Sequence, residues 1–547
     1  MTTLWNDLKY GLRISALVIS TLLLLAGCPS SPVPSDARLA AMKARLSQIE
    51  TVRLEDRSAT KPVTVDQATT EIMQEVNEPN AAVPAMNLTL DEVRASALAN
   101  NLDLKVERID PAMAQADLDA ERAKFEAAFT ASLQYGRSRD EDGTTGTTSM
   151  EAGVTKPLAT GGSLSVGVPL SDTQYDADGL AEAAVSVAYI QSLWQGAGTR
   201  INTQSIRIAA HEKGIVDAQT KLSAIHILAN ADVAYWRLYA ARKELEVRQE
   251  QYKLAQDQLR HARGKVASGS APKIEIVRAE AGLAGRLEEV INAETSVQSA
   301  TRDLRRIMNR PDMPLDAKVS IIPTSEPNPL GLDLDPERLV QEALANRTEI
   351  AEMELRLAID QLDIELARDQ TRPDVTFSYQ YTAGRDDDSM GKAVGHLGNT
   401  SADEQVIGLS ATIPFGHRAA SARLERARLQ RLRDRASQDR LRQAIRQEVY
   451  EAASELNKDW RRILAAEQGV VAAYRDYRVE QSQFQLGQRT STDVLYSATG
   501  LANAQLRRIY AMAEYEVARI NLARATGTLL GHDQVQVASI PVHAQTQ

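Results

Sequence analysis

Two stretches of this chain repeat the same seven-residue hydrophobic step at one fixed distance, and that repeat limits the available folds more than any other feature. Leu238, Leu245, Tyr252, Leu259 and Val266 step by seven, and Leu456, Ile463, Val470, Tyr477 and Phe484 do the same 218 residues later. Beyond a short break, Ile276, Leu283, Val290, Val297 and Leu304 resume the step, matched by Val494, Leu501, Arg508, Tyr515 and Leu522. Alanines hold companion positions: Ala279, Ala293 and Ala300, then Ala504, Ala511, Ala518 and Ala525. A sustained heptad keeps one seam facing a partner helix and winds the pair left-handedly. The letters repeat too, since Ala97-Leu98-Ala99-Asn100 recurs as Ala343-Leu344-Ala345-Asn346 and Gly282-Leu283-Ala284 as Gly500-Leu501-Ala502. Similarity at a fixed period marks duplication. The chain therefore reads as two copies, at 88–310 and 332–530, with a linker at 311–331 and a tail at 531–547.

The helices are long. No proline falls between Pro169 and Pro272 or between Pro414 and Pro541, so neither stretch contains that interruption. A helix from about Arg200 to Val266 would extend on the order of 100 Å. That is a conduit's length, not a domain core's. The breaks are short and alike. Ser268-Gly269-Ser270-Ala271-Pro272 offers a glycine for a left-handed cap and a proline for the next first turn. Leu486-Gly487-Gln488-Arg489-Thr490-Ser491-Thr492 offers hydroxyl N-caps. Each copy thus contains a helical hairpin with a tight tip.

Between the helices lie segments with the two-residue period of strands. They are Phe129 to Tyr135 and Val185 to Leu193 in the first copy, and Val375 to Tyr381 and Val406 to Phe415 in the second. The first copy also shows an extra hairpin, Met150 to Lys156 and Ser163 to Val168, turning through Thr160-Gly161-Gly162. The polar run Asp386 to Ser401 reads as an exposed loop. One chain has too few strands to close a barrel, so several copies must share one.

The N-terminus reads as an export signal over residues 1–27, with Lys9 and Arg13 before an apolar run from Ile14 to Leu25 that is too short to span a bilayer comfortably. The sole cysteine, Cys28, follows Leu25-Ala26-Gly27, which resembles a bacterial lipoprotein processing site. That resemblance implies a diacylated thiol, cleavage before it and an acylated new N-terminus, a firm anchor because several chains insert. Pro29 stands where an inner-membrane retention signal has aspartate. Residues 28–87 read as a tether: Pro/Ser-rich, then charged and helical around Asp36 to Arg57, then polar.

These features together resemble the TolC-type outer-membrane factor family, over nearly everything from Met86 to Leu530. The most specific letters are Gln191-Ser192-Leu193-Trp194-Gln195-Gly196-Ala197-Gly198 at a strand-to-helix passage, and the tip from Leu486 to Leu495. The family usually has proline where Ser192 stands; the second copy keeps it as Pro414. The resemblance implies a mainly α fold with β: a tandemly duplicated trimeric α/β-barrel channel, with long coiled-coil helices below a transmembrane β-barrel shared by three chains. It implies a homotrimer, lipid-anchored in the outer membrane with a large periplasmic part, that receives substrates from an inner-membrane pump through a periplasmic adaptor. Adaptor-contacting tips would be Gly269, Ser270, Pro272, Gly487, Thr490 and Ser491. The periplasmic gate would comprise Asp493 as a narrowing carboxylate, Glu275 and Arg489 as ties between coils, and Phe484. Two positions depart from the best-known pattern: Phe484 lacks the hydroxyl of a linking tyrosine, and Tyr496 replaces a second acid. Asp493 carries a second reading as a helix N-terminal carboxylate.

Composition closes off other classes. With 547 residues and a formal net charge of -10, the chain lacks the basic surface that nucleic acid requires. The arginines opening the last long helix, Arg418 and Arg423 among them, are interleaved with acids and read as a solvated face, with anionic headgroups as a sharper alternative. No catalytic constellation stands out: His211-Glu212 lacks the second histidine of a zinc-protease helix, and Gly196 and Gly198 lack a phosphate-loop lysine. No cofactor or metal is expected. Three readings remain open: an export channel coupled to a pump, a channel for one-step polypeptide secretion, and a pore-less periplasmic coiled-coil scaffold.

Overall fold

The computed structural model describes residues 84–532 except 141–142, 176–177, 318, 396–401 and 487. The signal, Cys28, the tether as far as 83, Gly487 and the tail beyond 532 lie outside the described residues.

Each copy opens alike. Strand β1 (Ala85–Leu88) pairs in parallel with β6 (Ser320–Pro323), Ala85 opposite Ser320 and Leu88 opposite Pro323; the stretch expected as linker thus contains a strand. Helix α1 (Leu90–Asn100) starts in a capping box, Thr89 with Glu92, and α7 (Pro336–Asn346) starts with Asp335 accepting from two backbone N–H groups. The repeated Ala97 and Ala343 are both fully buried. In the first copy α2 (Leu102–Glu107) and α3 (Asp110–Ala123) follow, and in the second α8 (Thr348–Asp369).

The long helices match as closely. A short α4 (Thr199–Asn202) leads into α5 (Gln204–Ala267) of 64 residues, and the second copy has α10 (Arg418–Gln485) of 68. Past the tips, α6 (Ile274–Met308) and α11 (Ser491–Ala525) are 35 residues each. Every heptad position read from the sequence is buried or half-buried, from Leu238 and Leu456 to Leu304 and Leu522. The largest core forms where β1, β6, α1, α5 and α6 meet, around Val93, Leu228, Tyr235, Leu304 and Met308. There the Tyr235 hydroxyl donates to the Leu88 carbonyl at 3.2 Å and accepts from Ser325 N–H at 2.7 Å, so its buried polar atom is satisfied. Arg94 meets the fully buried Asp232 with two parallel bonds of 2.9 and 2.8 Å, the fork geometry that suits a carboxylate.

The remaining strands form one antiparallel sheet in the order β2-β3-β4-β5-β7-β8. They are β2 (Ala128–Asp140), β3 (Gly143–Leu158), β4 (Gly162–Tyr175), β5 (Asp178–Ser192), β7 (Asp374–Asp387) and β8 (Ala402–Thr412). Each overlaps a segment expected from alternation, β5 stopping at Ser192, one residue short of Leu193, and the extra hairpin is β3 and β4. The register keeps the faces separate. Phe129, Val154, Val166, Val187 and Tyr381 form one cross-strand row, and Leu164, Tyr189, Tyr379 and Ile407 a second on the same face. The opposite face carries Thr155, Ser165, Ala188 and Gln380 in one row and Ser149, Ser171, Glu182 and Asp386 in another.

Two stretches differ from expectation. The loop expected from Asp386 to Ser401 instead holds the end of β7 and a helix, α9 (Met390–Gly395), because Met390 and Ala393 pack on Ala181 and Ala183. The strand expected to reach Phe415 stops at Thr412, ahead of Pro414, which cannot donate to a ladder. Among the described residues no helix is long and apolar enough to cross a membrane.

Candidate functional site

The tips concentrate most of the expected functional residues. At the first, α5 ends, Gly269 adopts φ 73° and Ser270 N–H returns to the Lys265 carbonyl at 2.8 Å. A side chain is disfavoured at that φ, which is why glycine stands there. Pro272 precedes α6 instead of lying inside its first turn, and its carbonyl accepts from Glu275 N–H at 3.0 Å. At the second tip Thr490 caps α11. Its N–H and hydroxyl donate to Asp493 at 2.9 and 2.8 Å, and Asp493 N–H returns to the Thr490 hydroxyl at 3.3 Å. These backbone and hydroxyl donors hold the Asp493 carboxyl below the usual carboxylate range. The N-terminal carboxylate reading of Asp493 therefore describes its bonding in this chain. Gly487 lies outside the described residues.

The two tips are tied to each other. Ser491 donates to Glu275 at 3.2 Å, and the Lys265 ammonium sits 3.9 Å from the centre of the Phe484 ring. Farther along, Arg286 donates to Thr499 at 2.7 Å, and a Cβ on Gly282 would stand 3.1 Å from Leu495. Arg489 instead bonds back to its own hairpin, to Glu480 at 3.2 Å and Gln483 at 2.9 Å. Of the four expected gate residues, Glu275 and Phe484 thus reach across between hairpins, while Arg489 and Asp493 bond within theirs. Glu275 also holds Arg278 at 2.9 Å.

Sequence reasoning missed three things here. Lys265 sits one position off the heptad seam, and nothing in the period assigns it a partner 219 residues on, at Phe484. The tips also expose apolar side chains, Ile274, Val277, Leu486 and Tyr496, the last of them 83% exposed. The first three fall outside the seam, and that was the available signal. Finally, α8 and α10 bring acids together away from the tips. Burial, and then the neighbouring Asp434, pushes Asp360 up to about 6. Among the described residues, no group of three His, Cys, Asp or Glu side chains could hold a metal ion.

Known proteins resemble this chain in both sequence and fold. Residues 339–528 match the family model for the outer membrane efflux protein. Over 63% of this chain and 72% of that protein, it is 24% identical to the outer membrane efflux protein BepC of Brucella suis biovar 1. It is 22% identical to the outer membrane protein TolC of Escherichia coli, over 65% of this chain and 72% of that one. Among solved structures, the outer-membrane channel OprN superposes with a TM-score of 0.61 at 17% identity, covering 83% of this chain and 92% of that one. The CmeC outer membrane channel of Campylobacter jejuni superposes at 0.62 and 16% identity, covering 84% and 87%. At such identities the structures speak for the fold, while the family model and the curated relatives carry the kinship. The second copy, over residues 339–528, thus carries the outer membrane efflux protein model, and the chain is similar in sequence and fold to channels of that kind.

Proposed function

We infer that this protein is the outer-membrane channel subunit of a tripartite export system, receiving substrate from an inner-membrane pump through a periplasmic adaptor. The observation that carries the reading is the six-stranded sheet, apolar on one face and unpaired along both edges, standing beside helices of 64 and 68 residues. A lipid environment does not tolerate open sheet edges, so copies of the chain must complete one another. A pore-less scaffold has no use for such a sheet. We take the number of copies as three, with the sheet in the outer membrane and the helices in the periplasm, a reading the family resemblance supports. Cys28 would add the lipid anchor.

Two kinds of tip face the adaptor, one at Gly269, Ser270 and Pro272, the other at Gly487, Thr490 and Ser491. Their exposed Ile274, Val277 and Leu486 suit a partner that buries small apolar patches. Asp493 and Glu275, each in the first turn after its tip, would crowd carboxylates around a threefold axis and favour cations. A photo-crosslinking residue at Ser270 should capture a periplasmic adaptor in cells. Capture of the adaptor only from positions far from both tips would overturn the tip assignment.

A further inference from the structure

Resting on the trimeric channel reading, we propose that β3 and β4 are transmembrane strands, so that three copies of the six-stranded sheet close an eighteen-stranded barrel whose exit is widened by this hairpin. The topology shows why the hairpin is separable. β2 ends and β5 begins at the same rim of the sheet, so β2 could continue directly into β5 without β3 and β4. Yet the hairpin is built in as a full sheet member, paired with β2 over 13 positions and with β5 over 12.

Its faces match those of its neighbours. Met150, Ala152 and Val154 of β3 lie opposite Leu170, Val168 and Val166 of β4, in rows that continue the apolar face of β2 and β5. A hairpin lying across a pore mouth would have no reason to keep that alternation, whereas a membrane strand requires it. The other face of the hairpin presents Ser149, Glu151 and Ser165, small or polar groups suited to water.

The hairpin's turn is also fitted to the rest of the protein. The Thr160 carbonyl accepts from Gly198 N–H at 2.9 Å and from the Gln191 side chain at 2.8 Å, and Ser192 N–H donates to the Gly161 carbonyl at 3.2 Å. A Cβ on Gly161 would fall 2.1 Å from the Gly196 carbonyl. The strand-to-helix letters from Gln191 to Gly198 therefore form the seat of this hairpin.

The edges fit closure by further copies. β2 and β8 run antiparallel to their neighbours in a sheet of even strand count, so β8 of one copy meets β2 of the next antiparallel. At the rim away from the helices, and on the apolar side's row, β2 carries Arg137 and Arg139 where β8 carries Asp403, all of them exposed. Closure in this order would bring these opposite charges to the same rim of the seam.

Width follows from strand number. With strands about 4.8 Å apart and tilted by about 40°, eighteen strands give a backbone diameter of about 36 Å and twelve about 24 Å, roughly a twofold difference in cross-section. Barrels of 16–18 strands leave an aqueous channel.

The test compares the full protein with a variant in which residues 141–177 are replaced by Asn-Gly, both reconstituted as purified assemblies. Poly(ethylene glycols) of graded size, added from the barrel side, report the lumen by the conductance they block. The wild type should admit polymers that the variant excludes, with roughly a twofold loss of accessible cross-section in the variant. An equal cut-off in two well-formed trimers overturns the proposal while leaving the channel reading intact; assemblies that are not trimers in the outer membrane overturn the channel reading itself. If the variant does not assemble, the wild-type barrel decides through single cysteines: Ser149→Cys and Ser165→Cys should react with a membrane-impermeant thiol reagent and Met150→Cys and Val166→Cys should not. The reverse pattern, or uniform reactivity, overturns the proposal.

Discussion

The contact between Lys265 and Phe484 gives the join between the two hairpins a measurable energy. The ammonium stands 3.9 Å from the ring centre, and a cation over an aromatic face at an exposed site is worth about 0.5–1 kcal/mol. A trimer holds three such contacts, so if the tips open together, removing them shifts the opening equilibrium by about 1.5–3 kcal/mol, or roughly 10- to 150-fold. Lys265→Gln removes the charge and keeps a polar side chain, one bond shorter. Phe484→Leu removes the ring and keeps an apolar heptad residue. In planar bilayers each single variant should spend that much more time in a high-conductance state, and the double variant no more than the larger single effect, since the partner is already gone. Wild-type gating in Lys265→Gln, or additive effects in the double variant, would refute the reasoning.

Asp493 carries both a cap and a charge, and two substitutions separate them. Asp493→Asn should leave thermal stability near wild type while reducing cation preference, read from the reversal potential in a salt gradient; Asp493→Ala should lower stability as well, and unchanged selectivity in both removes Asp493 from the gate. For Asp360 the folded carboxyl titrates at about 6 against an ordinary 3.8, so the folded chain binds the proton more tightly than the unfolded one. The wild type therefore loses stability as pH rises from about 4 to about 6. Asp360→Asn should abolish that slope and raise stability at pH 7.5, by on the order of 1 kcal/mol with solvent screening allowed for. A slope retained in thermal melts of the variant would assign the titration elsewhere.

The periodic parts of the fold were legible because they are local. Heptads named residues that are buried or half-buried, and alternation found all six strands of the sheet. Pairing is not local. Alternation in Met150 to Lys156 and Ser163 to Val168 shows a hairpin, but the same letters suit one folded back on itself or one inserted between β2 and β5. The register with Phe129 and Tyr189 decides that, through partners distant in sequence. Phe484 makes the same point at the tip. Its missing hydroxyl suggested a lost tie between coils, whereas the ring accepts Lys265, a partner that periodicity could not supply. The buried Asp360 went unnoticed because Asp434, which helps raise it, lies on another helix. The short α9 went unnoticed because one helical turn among glycines and aspartates carries too little pattern to read.

The duplication also separates what the two copies share from what they do not. Both carry a 35-residue helix after the tip and keep heptad burial at the same offset, so packing of the coils constrains both halves equally. The tips escape that constraint because most of their side chains are exposed. There the first copy ends in a left-handed glycine and a proline without a side-chain cap on α6, while the second has the Thr490–Asp493 capping box. An uncapped first turn leaves Glu275 free of backbone duty, so it can accept from Ser491 of the other tip; Asp493, engaged with Thr490, has no such freedom. The equivalent acids have thereby divided two tasks, Glu275 joining the hairpins and Asp493 fixing the start of its own helix. Were the hairpins to part, the Glu275–Ser491 contact would break while the Thr490–Asp493 cap stayed in place.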